Sequence, residues 1–281
     1  MMSRKPTMFT RLMTGLVYFF LYAPILVLVV FSFNSTKSRS VWSGFTLDWY
    51  AELFQDEAIL IALRTTLLVS ALSALIAAVI GTFAAIGFYN MKKKPRGFFL
   101  AISNIPVINA DIVTGVSISL LMVLGLGAIN SIFGTHMQLG FGTLLIAHIS
   151  FNIPYVILSV MPKLYQMDKN LFEAAQDLGC TWMQAFWKVI VPEIRPGIVN
   201  GIITAFTMSI DDFVISYFAA GSGAQTLSMV IYSMTRMRIS PEINALSTLL
   251  FVTVLLMMSI INLREARQEK MVQRAQRQMT R

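Results

Sequence analysis

Asp111, Asp211 and Asp212 each stand inside a long apolar stretch of this 281-residue chain. A charge at the centre of a bilayer costs about 2.5–3.5 kcal/mol on the insertion scale, so such carboxylates face a cavity or a partner. The stretches that hold them contain no Lys or Arg. Carboxylates without basic partners suit a cationic ligand, because an entering ammonium supplies the missing counter-charge, and a diamine meets that need. Trp49 and Tyr50, flanked by Asp48 and Glu52, can stack against or guide an alkyl ammonium through cation–π contact. They can equally anchor a short helix at the lipid headgroups. The aspartates also carry a second reading, as helix-to-helix hydrogen-bond sites with Thr204, Thr207 or Ser216 for the adjacent pair.

The elements that must hold these residues are membrane helices. Apolar runs near or above the roughly 20 residues needed to cross a bilayer occur at Gly15–Phe33, Thr65–Tyr89, Phe98–Leu126, Phe141–Val160, Gly197–Ala220 and Ile243–Leu263. Long, continuously apolar runs mean six helices and exclude a barrel of short alternating strands. Asp111 lies near the middle of the third run, five residues after Pro106, whose ring and missing N–H predict a kink. Asp211 and Asp212 are neighbours in the fifth run, where successive residues point about 100° apart, so the two can do different jobs. At about 1.5 Å of rise per residue they fall within one or two turns of the level of Asp111, and all three can bracket one cavity.

The chain is 56% hydrophobic and 13% charged, with a mean hydropathy of +0.68, so lipid must be much of its solvent. The net charge of +8 lies in short clusters between the apolar runs, which reads as topology rather than nucleic-acid binding. Arg4, Lys5 and Arg11, then Lys92, Lys93, Lys94 and Arg96, then Lys163, Lys169, Lys188 and Arg195, and finally Arg264 to Arg281 all fall on one side. The positive-inside rule makes that side cytoplasmic and gives N-in, C-in, against which stand Lys37, Arg39, Arg236 and Arg238. The first run is followed by Asn34-Ser35-Thr36 rather than a cleavage site, so it is expected to stay as a helix. Cys180 is the single cysteine and allows no internal disulfide. His136 and His148 stand apart from any Cys or carboxylate cluster in the sequence, which argues for packing rather than a metal site. No segment suggests a separate soluble domain, so residues 1–281 are expected to form one membrane domain.

The connection over residues 161–195 is longer than a simple bundle needs, and loops of such length are usually functional. Met167, Leu171, Phe172, Ala175 and Leu178 recur at helical spacing behind the N-cap candidate Asp168, and Gly179 supplies a stop. Thr181 caps a second short helix whose apolar side is Trp182, Ala185, Phe186, Val189 and Ile190, and Pro192 with Pro196 is expected to close it. An amphipathic helix on the inner membrane face would have the same pattern. Glu173-Ala174-Ala175, three residues, Gly179 and then Val189-Ile190-Val191-Pro192 resemble the EAA loop of ABC importer permeases, with valines where Ile and Leu are frequent. That resemblance implies a coupling element seated in a groove of an ATP-hydrolysing subunit, with Glu173, Ala174, Ala175, Gly179, Trp182, Phe186 and Pro192 as its residues. It implies that Ala174, Ala175 and Gly179 allow close helix approach. The chain has no G-x-x-x-x-G-K-[ST] phosphate loop, so the resemblance places ATP and Mg on partner subunits and no catalytic, cofactor or metal site here.

Phe31-Ser32-Phe33-Asn34-Ser35, Ser209-Ile210-Asp211-Asp212-Phe213-Val214-Ile215-Ser216 and Ser240-Pro241-Glu242-Ile243-Asn244-Ala245-Leu246 are similar to segments of spermidine/putrescine importer permeases, nearest to the C-type of the two. In themselves Ser240, Pro241 and Glu242 read as a helix start. The resemblance implies an all-α permease in a bacterial cytoplasmic membrane. Its partners would be a homologous permease, two ATPase subunits and an extracellular polyamine-binding protein. The same importer class carrying thiamine or a metal chelate is the alternative. A channel or secondary transporter is disfavoured by the lack of a TVGYG filter or an Arg ladder, and an intramembrane enzyme by the lack of H-E-x-x-H.

Overall fold

The structure is a computed structural model and describes residues 7–36, 41–168, 170–237 and 241–279. Arg4, Lys5, Lys37, Arg39, Lys169, Arg238, Ser240 and Arg281, to which the charge and capping arguments appeal, lie outside the described residues. The elements in chain order are α1 (Met8–Phe31), α2 (Asp48–Leu53), α3 (Glu57–Asn90), α4 (Lys93–Ile108), α5 (Asp111–Phe133) and α6 (Phe141–Gln166). They continue with α7 (Asn170–Asp177), α8 (Trp182–Ala185), a π-helical segment (Phe186–Ile190), α9 (Val191–Asp211), α10 (Val214–Ala219), α11 (Leu227–Met237) and α12 (Pro241–Met279). Among the described residues the extended pairing is a single bridge, Asn34 with Phe45. Two compact units result. One runs up to Leu60 and again from Ile231 to Thr253, and the other holds Ile61–Val230 and the chain from Val254 onward.

Six described helices are long and apolar enough to cross a membrane: Met8–Phe31, Glu57–Asn90, Asp111–Phe133, Phe141–Gln166, Trp182–Asp211 and Glu242–Ile260. The number agrees with the apolar runs, but two of the boundaries do not. The third run does not make one kinked helix. It is divided after Asn109, so α4 is separate and Asp111 opens α5 instead of sitting mid-helix. Pro106 lies within α4 without ending it, and the Asn109 side chain accepts the Ala110 N–H at 3.1 Å, offering the backbone a partner outside the helix. The fifth run is likewise split, α9 ending at Asp211 and α10 starting at Val214.

The second unit is held by small residues. Membrane helices gain no hydrophobic drive from one another and associate where small residues let backbones approach. On α9 a Cβ at Gly197 would lie 2.9 Å from Ser159 O, and one at Gly201 would lie 3.2 Å from Val156 Cα, so α6 and α9 touch along these positions. On α3 a Cβ at Gly81 would lie 2.8 Å from Val156 Cβ. Ala74, Ala77, Val156, Val160, Ile194 and Ala205 form the core that these contacts create. A second cluster of Val69, Leu144, Ala147, Phe151, Ile215 and Ala219 holds α10.

Pro192 does not close the second helix of the 161–195 connection. Helix α6 reaches Gln166, and α8, the π segment and α9 run on as one apolar helix, Trp182–Asp211. The Val191 N–H reaches Phe186 O, five residues back. The widened turn lies immediately before the proline, whose missing N–H would leave a gap in an ordinary i to i−4 ladder.

Candidate functional site

Nothing between Ser209 and Ala220 is a Gly or Pro, so backbone propensity does not explain why the chain leaves the helix at Asp212. The side chains do. Asp212 has extended φ/ψ of −63° and 121°. Its carboxylate caps α10, Oδ1 accepting the Ile215 N–H at 3.3 Å and Oδ2 the Ser216 N–H at 2.8 Å. The Ser228 hydroxyl donates to Asp212 O at 2.6 Å. At the other end of α10, Ser119 Oγ donates to Phe218 O and Thr143 Oγ1 to Ala219 O, both at 2.8 Å. A six-residue helix inside an apolar stretch thus has its terminal groups met by α5, α6 and its own flanks, as a low-dielectric setting requires. Gly115 permits this closeness, since a Cβ there would lie 3.2 Å from the Phe218 ring.

Behind the break lies His148 of α6, fully buried. Its Nδ1 is 2.6 Å from Ser209 Oγ and its Nε2 is 3.0 Å from Ser216 Oγ, and Nε2 is 3.7 Å from Asp212 Oδ2. The sequence separation that sets His148 apart from every carboxylate is therefore undone by the fold. One turn further along α6, Asn152 Nδ2 donates to Ser73 Oγ at 3.0 Å, and Ser73 lies 3.5 Å from Ser209. These side chains join α3, α6, α9 and α10 in one buried polar network.

The two neighbouring aspartates have different surroundings. Asp212 is half-buried and engaged, while Asp211 is exposed at the last position of α9. Asp111 is exposed in the first turn of α5, where the helix dipole favours a negative charge. Asp111 lies within Coulombic reach of both Asp211 and Asp212, and Tyr155 of α6 within reach of all three. The fold thus brings together the three carboxylates expected from the sequence and places them at two helix breaks. It adds Tyr155, whose ring meets Phe151 edge-on at 5.2 Å. His148, Asn152 and Tyr155 recur at i, i+4 and i+7. That polar and aromatic stripe on an apolar helix is the signal by which the sequence reveals them.

Trp49 and Tyr50 belong to the other unit. Trp49 is buried, its Nε1–H donating to Asn34 O at 2.7 Å. Tyr50 is half-buried, its ring stacked on Phe33 at 5.3 Å and its hydroxyl 2.8 Å from Ser32 Oγ. Asn34 orders the same segment by donating to Val41 O and accepting the Ser43 N–H, each at 2.9 Å. Both aromatic residues are thus used in packing the chain that leaves α1.

In the 161–195 connection the Asp168 carboxylate accepts the Asn170 N–H at 3.0 Å and so caps α7. Glu173, Ala174 and Gly179 are exposed, and Ala175 is buried. Gly179 has a φ of +85° and no atom within 4 Å of a would-be Cβ. It holds the left-handed helix stop that the sequence places there. Thr181 and Gln184 form a reciprocal capping box. Trp182 stacks on the buried Phe186 at 5.6 Å, and Phe172 meets Trp182 edge-on at 6.5 Å. Leu178, Met183 and Trp187 leave an apolar surface beside this stack, while Pro192 is exposed on the continuing helix.

Comparison with known proteins agrees with this architecture. Residues 77–274 match the family described as the inner membrane component of binding-protein-dependent transport systems. The chain is 38% identical over 280 residues to the putrescine transport system permease protein PotI of Escherichia coli (strain K12), covering 98% of this chain and 97% of that one. It is 36% identical over 242 residues to the spermidine/putrescine transport system permease protein PotC of the same organism, covering 86% and 88%. A chain in the crystal structure of a bacterial alginate ABC transporter in complex with an alginate pentasaccharide-bound periplasmic protein has the same fold, with a TM-score of 0.67, 19% identity and coverage of 92% and 93%. A chain of the inward-facing MetNI methionine ABC transporter gives a TM-score of 0.58 at 22% identity, covering 76% of this chain and 98% of that one. With six apolar helices and a family match across most of its length, this chain belongs to the inner membrane components of binding-protein-dependent transport systems.

Proposed function

We propose that the chain is one of two pore-forming permease subunits of an ATP-driven importer in a bacterial cytoplasmic membrane, and that its cargo is a polyamine, putrescine or spermidine. The observation that carries the reading is the meeting of two helix breaks, each with a carboxylate at its end. Irregular backbone is tolerated at membrane depth where it lines a cavity, and Asp111 and Asp211 are exposed there within Coulombic reach of Tyr155. Two or three carboxylates and an aromatic face suit an alkyl diammonium. The names of the relatives support the same cargo.

In this reading the chain is N-in and C-in and the 161–195 connection faces the cytoplasm. There α7 and α8 dock on an ATPase subunit that holds ATP and Mg, a second permease completes the pore, and an extracellular binding protein delivers the cargo. ATP-driven closure of the two ATPase subunits draws the coupling helices together and opens the cavity outward, and hydrolysis resets it. The continuous helix Trp182–Asp211 ties the docking segment directly to the carboxylate at its far end.

The test is ATP-dependent uptake of labelled putrescine and spermidine by the whole importer in proteoliposomes, with thiamine as a competitor. The Asp111→Asn/Asp211→Asn double variant is expected to lose about tenfold or more of polyamine uptake with its assembly intact, as removal of a charge-assisted contact implies. Parental uptake by that variant, or competition by thiamine, would overturn the cargo assignment.

A further inference from the structure

We propose that His148 is the positioning residue of the carboxylate pair: by bridging Ser209 and Ser216 across the break, it keeps Asp212 capping α10 and leaves Asp211 turned outward. The inference rests on the reading that Asp211 faces the cargo path.

In an unbroken helix Ser209 and Ser216 would stand seven residues apart, about 10.5 Å along the axis. Here one imidazole reaches both hydroxyls, at 2.6 and 3.0 Å, because the chain departs from the helix between them. A neutral imidazole donates from one nitrogen and accepts at the other. One assignment uses both ring nitrogens. The Ser209 hydroxyl donates to Nδ1, the Nε2–H donates to Ser216 Oγ, and the same nitrogen stands 3.7 Å from the Asp212 carboxylate. The Ser216 N–H donates to the same carboxylate. Ser216 therefore takes from the histidine and gives to the cap, so the histidine holds Asp212 through it. Asn152 and Ser73 brace Ser209 from the other side. No Gly or Pro within Ser209–Ala220 would keep the break open if this bridge were lost. The helix would then be free to propagate through Asp212, turning both aspartates by the rotation that each added residue brings.

The whole importer in nanodiscs provides the test, with His148→Phe removing both hydrogen bonds at similar volume and His148→Gln restoring one. Two quantities are read: hydrogen exchange of the Ser209–Ala220 segment, and the KM and maximal rate of polyamine uptake. His148→Phe is expected to speed exchange of that segment about fivefold, the scale of a lost cap. It should raise KM by a similar factor with the maximal rate within about twofold, and His148→Gln should recover part of both changes. If His148→Phe fails to assemble, Ser216→Ala removes the hydroxyl that the histidine holds on α10 and is expected to show the same two changes in smaller measure. Unchanged exchange overturns the clasp. Faster exchange with an unchanged KM, or a loss of maximal rate alone, overturns the positioning role. Because exchange is read without cargo, a parental importer that fails to carry polyamines would refute the cargo reading while exchange still decides whether His148 holds the break.

Discussion

Phe83 of α3 lies flat on Phe186 of the π-helical segment, with ring centroids 6.2 Å apart and planes 8° from parallel. Phe186 stacks in turn on Trp182 at 5.6 Å and 9°, so three rings join the helix that follows the EAA-like run to the second membrane helix. Further along α3 are Ser70 and Ser73, the latter part of the polar network behind the carboxylates.

Phe83→Ala is expected to weaken transmission along this stack without removing the docking surface. An aromatic pair contributes about 0.5–1.5 kcal/mol beyond its area, which corresponds to a roughly threefold to tenfold loss of uptake. Basal ATP hydrolysis by the assembled importer should be retained, and the ratio of cargo moved to ATP hydrolysed is the measurement. An unchanged ratio would show that the stack only packs.

Glu173→Lys and Gly179→Trp are expected to abolish coupling with membrane insertion preserved. Glu173 is exposed on α7, and Gly179 at φ +85° holds a conformation that costs an L-residue roughly 1–2 kcal/mol. Co-purification of the ATPase with the tagged variant reads the outcome. Undiminished recovery together with undiminished uptake would remove the connection from the coupling role.

The two neighbouring aspartates should separate by chemistry. Asn caps a helix about as well as Asp, whereas Ala costs about 1 kcal/mol. Asp212→Asn keeps one of the two accepting oxygens and should therefore lower thermal stability less than Asp212→Ala, which should lower it by a few degrees, measured as the melting temperature in detergent. Asp211→Asn should reduce uptake and leave melting unaltered. Equal melting for the Asn and Ala variants at 212 would refute the capping assignment.

Gly201→Leu is expected to destabilise the second unit by about 1–3 kcal/mol, the usual cost of overpacking. The Cβ alone would stand 3.2 Å from Val156 Cα and 3.4 Å from Ser159 Cβ, so α6 and α9 must move apart. Gly125→Leu, with nothing within 4 Å of its Cβ position, serves as the control in the same melting assay.

Topology is read by single-cysteine reporters in a Cys180→Ser background. Lys93→Cys and Asn170→Cys should be shielded from an impermeant thiol reagent in intact cells, and His136→Cys should label. Labelling at residue 170 from outside would overturn the scheme, since ATP is cytoplasmic.

Much of the architecture was legible from local chemistry. Six apolar runs are visible because the bilayer sets their length. The α7, Gly179, capped-α8 succession follows from caps and a left-handed stop that depend on few neighbours. Asp111, Asp211 and Asp212 could be singled out because a charge in an apolar run is costly wherever its partners are. The helix breaks were not legible. Pro106 suggested a kink where Asn109 makes a division, Pro192 suggested a stop where a π turn continues, and Ser209–Ser216 offered no breaker. Those outcomes depend on side chains far away in sequence: His148 and Ser228 on the Asp212 break, Ser119 and Thr143 on the end of α10, Val156 and Ser159 against the α9 glycines. Backbone groups in an apolar medium must be satisfied within the protein, and which side chains satisfy them is decided only when α3, α5, α6 and α9 have packed.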